Sequence, residues 1–124
     1  MTISTRILTV DDSASMRALL RHSLGSAGFD VVQAEHGVEA LEWLSENDAD
    51  VVITDINMPR LDGFGLIEAL RADERHRDRP ILVLTTEHSA EKKARARDAG
   101  ATGWIVKPFD AEKLEAAVRR VTYC

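Results

Sequence analysis

The sequence has one cysteine, Cys124, at its final position. It offers no partner for an intrachain disulfide and no zinc cluster of cysteines, so a reducing, cytoplasmic compartment fits. Long hydrophobic runs are also missing. The polar stretch Met1 to Arg6 leads directly into Ile7-Leu8-Thr9-Val10, which is too short for a signal peptide or a transmembrane helix. There is no excess of positive charge: the formal net charge of -5 argues against non-specific nucleic-acid binding. The histidines His22, His36, His76 and His88 lack metal-ligand spacing and are assigned no function. No linker, repeat or low-complexity segment divides the 124 residues. The chain therefore reads as one domain, residues 1–124, and as a monomer. What is present is globular: 44% hydrophobic and 30% charged residues, enough to bury one core without metals or disulfides.

Short apolar runs alternate with helical patterns. Ile7 to Val10, Val31 to Ala34, Val51 to Thr54, Ile81 to Leu84 and Trp104 to Val106 read as strands. All but the second lack polar-apolar alternation, as strands covered on both faces should. The first helix carries Met16, Leu19, Leu20 and Leu24 as its stripe, with Ser13 as N-cap and Gly28 past its end. Val38, Leu41, Trp43 and Leu44 mark the second helix, and Phe64, Leu66, Ile67 and Leu70 the third. Trp43 and its leucines are assigned to packing. Ala90 to Ala99, closed by Gly100, is a weaker fourth, and Leu114, Ala117, Val118 and Val121 mark the fifth. Asp73 to Arg79 reads as a solvated charged loop. Five strands and five helices in strict alternation predict an α/β, doubly wound parallel sheet covered on both faces.

The polar residues fall at strand ends. Asp11 and Asp12 follow the first strand, Asp55 the third, Thr85 ends the fourth and Lys107 the fifth. Ligands of an open parallel sheet bind outside the carboxyl ends of the strands, at the switch in strand order. Taken singly, each residue has a bland reading: Asp11-Asp12 as caps, Asp55 as a loop residue, Lys107-Pro108 as a turn. Their joint placement on four strand ends is the informative observation.

Three carboxylates at one rim repel, by roughly 4 kcal/mol for a pair about 4 Å apart at an effective dielectric near 20. A hard divalent cation offsets this. Mg2+ suits a site with few carboxylates, because it keeps several waters and often holds phosphate oxygens. A lysine adds a second positive charge. The pocket then fits a transferring phosphoryl group, and an aspartate within it can act as the nucleophile.

Four motifs resemble the bacterial response-regulator receiver family, over the whole chain: Val10-Asp11-Asp12-Ser13; Asp55-Ile56-Asn57-Met58-Pro59 with Asp62-Gly63; Leu84-Thr85-Thr86; and Trp104-Ile105-Val106-Lys107-Pro108-Phe109. Each alone is weak, and all four in order are specific. The resemblance implies a flavodoxin-like sheet of order 2-1-3-4-5. It implies that Asp55 is phosphorylated from a phosphohistidine on a sensor kinase. Mg2+ would be held by Asp11 through water, by Asp12 and Asp55, and by the backbone carbonyl of Asn57. Lys107 would pair with phosphoryl oxygens. The Thr85 hydroxyl and the Thr86 amide would hold the phosphoryl group, and Trp104 would swing inward with Thr85. Asn57 and Glu87 would tune dephosphorylation, and the Lys107-Pro108 bond would be cis.

Asp12-Ser13-Ala14-Ser15-Met16-Arg17 resembles the helix entry of the single-domain chemotaxis subgroup, and the reading takes the chain to carry no output domain. Output would leave through the face of the fourth helix, fifth strand and fifth helix. The basic residues Lys92, Lys93, Arg95 and Arg97 read as a solvated face or, alternatively, as a dock for an acidic partner such as a flagellar motor switch protein; a phosphatase is a further partner. Two residues depart from the family pattern: Trp104 replaces a Tyr or Phe, and Ile56 stands where a Trp often follows the phosphorylated Asp. Lys93 and Ala117 fall where motor-binding members often present an aliphatic residue and a lysine. Two alternatives remain: a phosphate sink or phosphorelay intermediate without a motor target, and an Asp-nucleophile phosphohydrolase. The hydrolase would carry a second acidic residue where this chain has Asn57.

Overall fold

The computed structural model describes residues 5–122, so Cys124 and the first four residues lie outside it. Ten elements alternate: β1 (Arg6–Val10), α1 (Ala14–Ser26), β2 (Asp30–Ala34), α2 (Gly37–Leu44), β3 (Val51–Thr54), α3 (Gly63–Ala72), β4 (Ile81–Thr85), α4 (Ala90–Ala99), β5 (Gly103–Val106) and α5 (Ala111–Thr122). All strand pairs are parallel, and the sheet order is β2-β1-β3-β4-β5. This is the flavodoxin-like order that the motifs implied.

Strand residues point alternately to the two faces. Leu8, Val10, Val52 and Val83 meet α2, α3 and α4 in one core cluster. Ile7, Val51, Ile53, Leu82 and Leu84 meet α1 and α5 in the other. The central strands β3 and β4 are buried along their whole length, which is why they read as unbroken apolar runs. The edge strands β2 and β5 are only partly covered.

Helix starts follow their caps. Ser13, Asp62 and Ser89 each accept a hydrogen bond from the backbone N–H three residues on. The cap of α2 is less expected: His36 Nδ1 accepts from the Glu39 N–H at 3.1 Å. Gly100 closes α4 with φ 115, a left-handed conformation that costs glycine little.

Three expectations need correction. Leu19 is 49% exposed and does not share the α1 stripe; Leu20 and Leu24 face the core, as their spacing of four dictates. The segment Asp73 to Arg79 is not simply a solvated loop. His76 is 2% exposed, and its Nε2 donates to the Leu44 carbonyl at 3.1 Å. Arg71 crosses beneath the same segment and donates to the Arg77, Arg79 and Gly100 carbonyls. Nor do the four cations of α4 form one patch. Arg95 lies over the Phe64 ring at 4.0 Å and Lys92 pairs with Glu87, leaving Lys93 and Arg97 on the Trp104 side.

Candidate functional site

β1 and β3 are neighbours, and their connections to β2 and β4 leave in opposite directions. The crevice between their carboxyl ends is the switch point of the sheet. Asp11, Asp12 and Asp55 converge there, with one carboxylate oxygen from each lying within 4.8 Å of the other two. Asp11 is 2% exposed and Asp55 9%, while Asp12 is open to solvent. Buried carboxylates this close need compensation.

Lys107 supplies it. Its Nζ lies 2.7 Å from Asp11 Oδ2 and 2.8 Å from Asp55 Oδ2. Burial alone would pull this ammonium's pKa down. The hydrogen bonds to Asp11 and Asp55 outweigh it and hold the pKa above the ordinary lysine value. The Lys107-Pro108 peptide bond is cis, as the motif implied. The Lys107 N–H donates to the Thr85 carbonyl at 2.8 Å, which ties the ends of β4 and β5 together.

Each carboxylate has a distinct environment. Asp11 Oδ1 accepts from the Ser13 N–H at 2.9 Å, and Asp55 Oδ1 from the Ile56 N–H at 2.6 Å. Both side chains are therefore fixed in orientation. Asp12 has no hydrogen-bonding or ionic partner among the described residues, because Ser13 caps α1 in its place. The Asn57 carbonyl likewise accepts no hydrogen bond among them. Oxygen donors from Asp11, Asp12 and Asp55, with the free Asn57 carbonyl nearby, fit a hard cation such as Mg2+.

On the opposite side stands Thr85, fully buried. Its Oγ1 accepts from the Glu87 N–H at 3.2 Å. Thr86 is exposed and follows at the strand end. Trp104 pairs in register with Val83, so it projects to the same sheet face as Thr85, two residues further along β4. Its indole is partly buried against the core, and Nε1 has no hydrogen-bond partner among the described residues.

The mouth of the site is framed by Asn57 and Glu87. Asn57 Nδ2 donates to Glu87 Oε1 at 3.1 Å, and Lys92 Nζ lies 3.0 Å from the same oxygen. These bonds, Lys92 first, hold the Glu87 carboxyl below the usual glutamate range.

All the site residues expected from the motifs meet at this rim, apart from Trp104, which stands behind it. Arg17 was missed. Its Nη1 donates to the Asp11 carbonyl at 2.8 Å and its Nη2 reaches Glu35 at 3.3 Å, pinning the acidic loop from behind. No sequence spacing signals a side chain that folds back to a carbonyl six residues earlier. His88, the histidine nearest the rim, is exposed, and none of the four histidines joins the acidic cluster.

Comparison with known proteins agrees with this geometry. Residues 7–119 match the response regulator receiver domain family. The chain is 44% identical to the chemotaxis protein CheY1 of Helicobacter pylori over 112 residues, covering 89% of this chain and 90% of that protein. The structure of the Vibrio cholerae chemotaxis protein CheY4 superposes with a TM-score of 0.91 at 44% identity, covering 96% of this chain and 99% of that one. The receiver domain of the Pseudomonas aeruginosa sensor histidine kinase PA1611, which has a magnesium ion in its active-site cleft, superposes with a TM-score of 0.91 at 25% identity. It covers 98% of this chain and 100% of that one.

Proposed function

The chain belongs to the response regulator receiver domain family, and from that premise we propose that Asp55 accepts a phosphoryl group from the phosphohistidine of a sensor kinase. The observation that carries the reading is the placement of Asp55 between a buried carboxylate, an open one and the Lys107 ammonium. Its Oδ atom attacks phosphorus, the P–N bond to the histidine breaks, and the imidazole nitrogen takes a proton. Asp55 is held for this by the Ile56 N–H, and Lys107 leaves Asp55 to meet the new phosphoryl oxygens. The Thr85 hydroxyl and the Thr86 N–H provide further donors.

Mg2+ would be held by Asp11, Asp12, Asp55 and the Asn57 carbonyl. When bound, it would screen the carboxylates and withdraw charge from the phosphoryl oxygens. The acidic cluster and the magnesium ion of the PA1611 receiver support this.

Residues 1–124 act as one receiver unit in the cytoplasm, as a monomer that catalyses only its own phosphorylation and dephosphorylation. No described helix is long and apolar enough to cross a membrane. Thr85 draws in towards the phosphoryl group and Trp104 follows on the same face, changing the surface of α4, β5 and α5. Val106, 41% exposed on the edge strand β5, lies on that surface. The chemotaxis relatives support a role in flagellar motor control, with a motor switch protein and a phosphatase as partners. The sink reading keeps the chemistry and drops the motor target. Lys93 and Ala117 favour it, since both depart from the motor-binding pattern. The phosphohydrolase reading is disfavoured because Asn57 spends its amide on Glu87 and supplies no second carboxylate.

The test is labelling with a small acyl phosphate and Mg2+. The wild type gains the mass of one phosphoryl group and Asp55→Asn does not. Equal labelling of both would defeat the assignment. Binding of a motor-switch peptide, with and without a phosphoryl mimic at Asp55, separates motor control from the sink: equal affinity in both states leaves the sink.

A further inference from the structure

Lys92 lies in the first turn of α4, three residues after its N-cap Ser89, whose hydroxyl accepts from the Lys92 N–H at 3.2 Å. The first turn carries the positive end of the helix dipole, so it favours anions, and an acidic residue at this position would complete the cap. A lysine breaks that local rule, and such breaks are expected where function demands them. The ammonium is drawn out of the helix to Glu87 Oε1 at 3.0 Å, two residues before the cap. The same oxygen accepts from Asn57 Nδ2 at 3.1 Å, and the Glu87 N–H donates to Thr85 Oγ1 at 3.2 Å. Glu87 thus spans the gap between the loop that carries Asp55 and the loop that follows Thr85. Without Lys92, a single neutral donor would hold this carboxylate. That single bond leaves the carboxylate free to turn out to solvent.

We propose that Lys92 is a positioning residue for loss of the phosphoryl group: it holds the Glu87 carboxylate over the mouth of the site, where Glu87 and Asn57 orient the attacking water. The role rests on the phosphoryl-acceptor reading above. In the step itself, the water oxygen attacks phosphorus and the P–O bond to Asp55 breaks. The Asp55 carboxylate is regenerated, and the oxygen and both protons of the water leave with the phosphate. Lys92 touches none of the reacting atoms; it acts through Glu87.

The experiment follows decay of the phosphoryl mass adduct on the full chain after a small acyl phosphate is removed, with Mg2+ held constant. Lys92→Ala and Glu87→Ala should each lengthen the half-life, Lys92→Ala by up to about fivefold, the upper end of what an exposed ion pair supplies. In the Glu87→Ala background, Lys92→Ala should add nothing, and Lys92→Arg should restore wild-type decay. A merely structural role in α4 would persist in that background. An unchanged half-life for Lys92→Ala, or full additional slowing in the double variant, would overturn the role of Lys92 while leaving Asp55 as acceptor. A wild-type chain that takes no label would overturn the acceptor reading and this role with it.

Discussion

The Lys107 ammonium is shared between Asp11 and Asp55, with its side chain only 10% exposed. Removing one partner of a buried ionic cluster leaves the others uncompensated. Lys107→Met should therefore lower stability in metal-free buffer by about 1–3 kcal/mol, measured by urea unfolding at neutral pH. The pH dependence follows from the raised pKa of Lys107. A group whose pKa is higher in the folded state contributes its full stabilisation below the unfolded value, about 10.4 for lysine. That contribution is lost as pH rises through the folded value. The advantage of wild type over Lys107→Met should be flat from pH 7 to 9 and shrink above about pH 10.4. An advantage that grows with rising pH would contradict the assignment.

At the scale of elements, the approach of α3 to β3 sets the position of Asp55. Gly63, the first residue of α3, donates its N–H to the Ile56 carbonyl at 2.9 Å. A Cβ at this position would meet the Asp55 carbonyl oxygen and come within 2.8 Å of Ile56 Cα. Both are backbone atoms with no flexible end to move aside. Gly63→Ala should push the β3–α3 connection outward, at a cost of about 1–3 kcal/mol by overpacking. It should also slow labelling of Asp55 by a small acyl phosphate. Thermal unfolding and mass spectrometry read the two effects; an alanine variant as stable and as readily labelled as wild type would mean that the contact is slack. The segment after α3 is anchored by a different logic. Arg79 pairs with Asp48 in the β3-preceding loop, and His76 fills the space under Leu44, so charged residues that look solvated in sequence hold the lower rim of the sheet.

Across the whole molecule, the acidic rim makes folding and metal binding interdependent. A cation that binds the folded chain alone stabilises it, by about 2.7 kcal/mol at a hundred times Kd. For a domain of this size each kcal/mol moves Tm by about 4 °C. Millimolar Mg2+ should therefore raise the melting temperature by several degrees over EDTA. Asp12→Asn, which removes the exposed carboxylate that has no partner among the described residues, should abolish most of that rise. An unchanged Tm across millimolar Mg2+ would count against a metal site.

The order of elements, the parallel sheet and the residues at its rim were all legible in the sequence. Those features are written locally. Val51 to Thr54 and Ile81 to Thr85 are apolar on both faces because both faces are covered, and Ser13, Asp62 and Ser89 cap within three residues. The partner of each long charged side chain was not written there. Lys107 meets Asp11 from 96 residues away, Arg71 reaches Gly100 from 29, and His76 reaches Leu44 from 32. Lys92, Lys93, Arg95 and Arg97 look like one basic run, yet Arg95 turns to Phe64 and Lys92 to Glu87. A flexible side chain of four or five bonds can reach many neighbours. Which one it reaches depends on how helices and strand ends pack in space, and no local stretch of sequence encodes that packing.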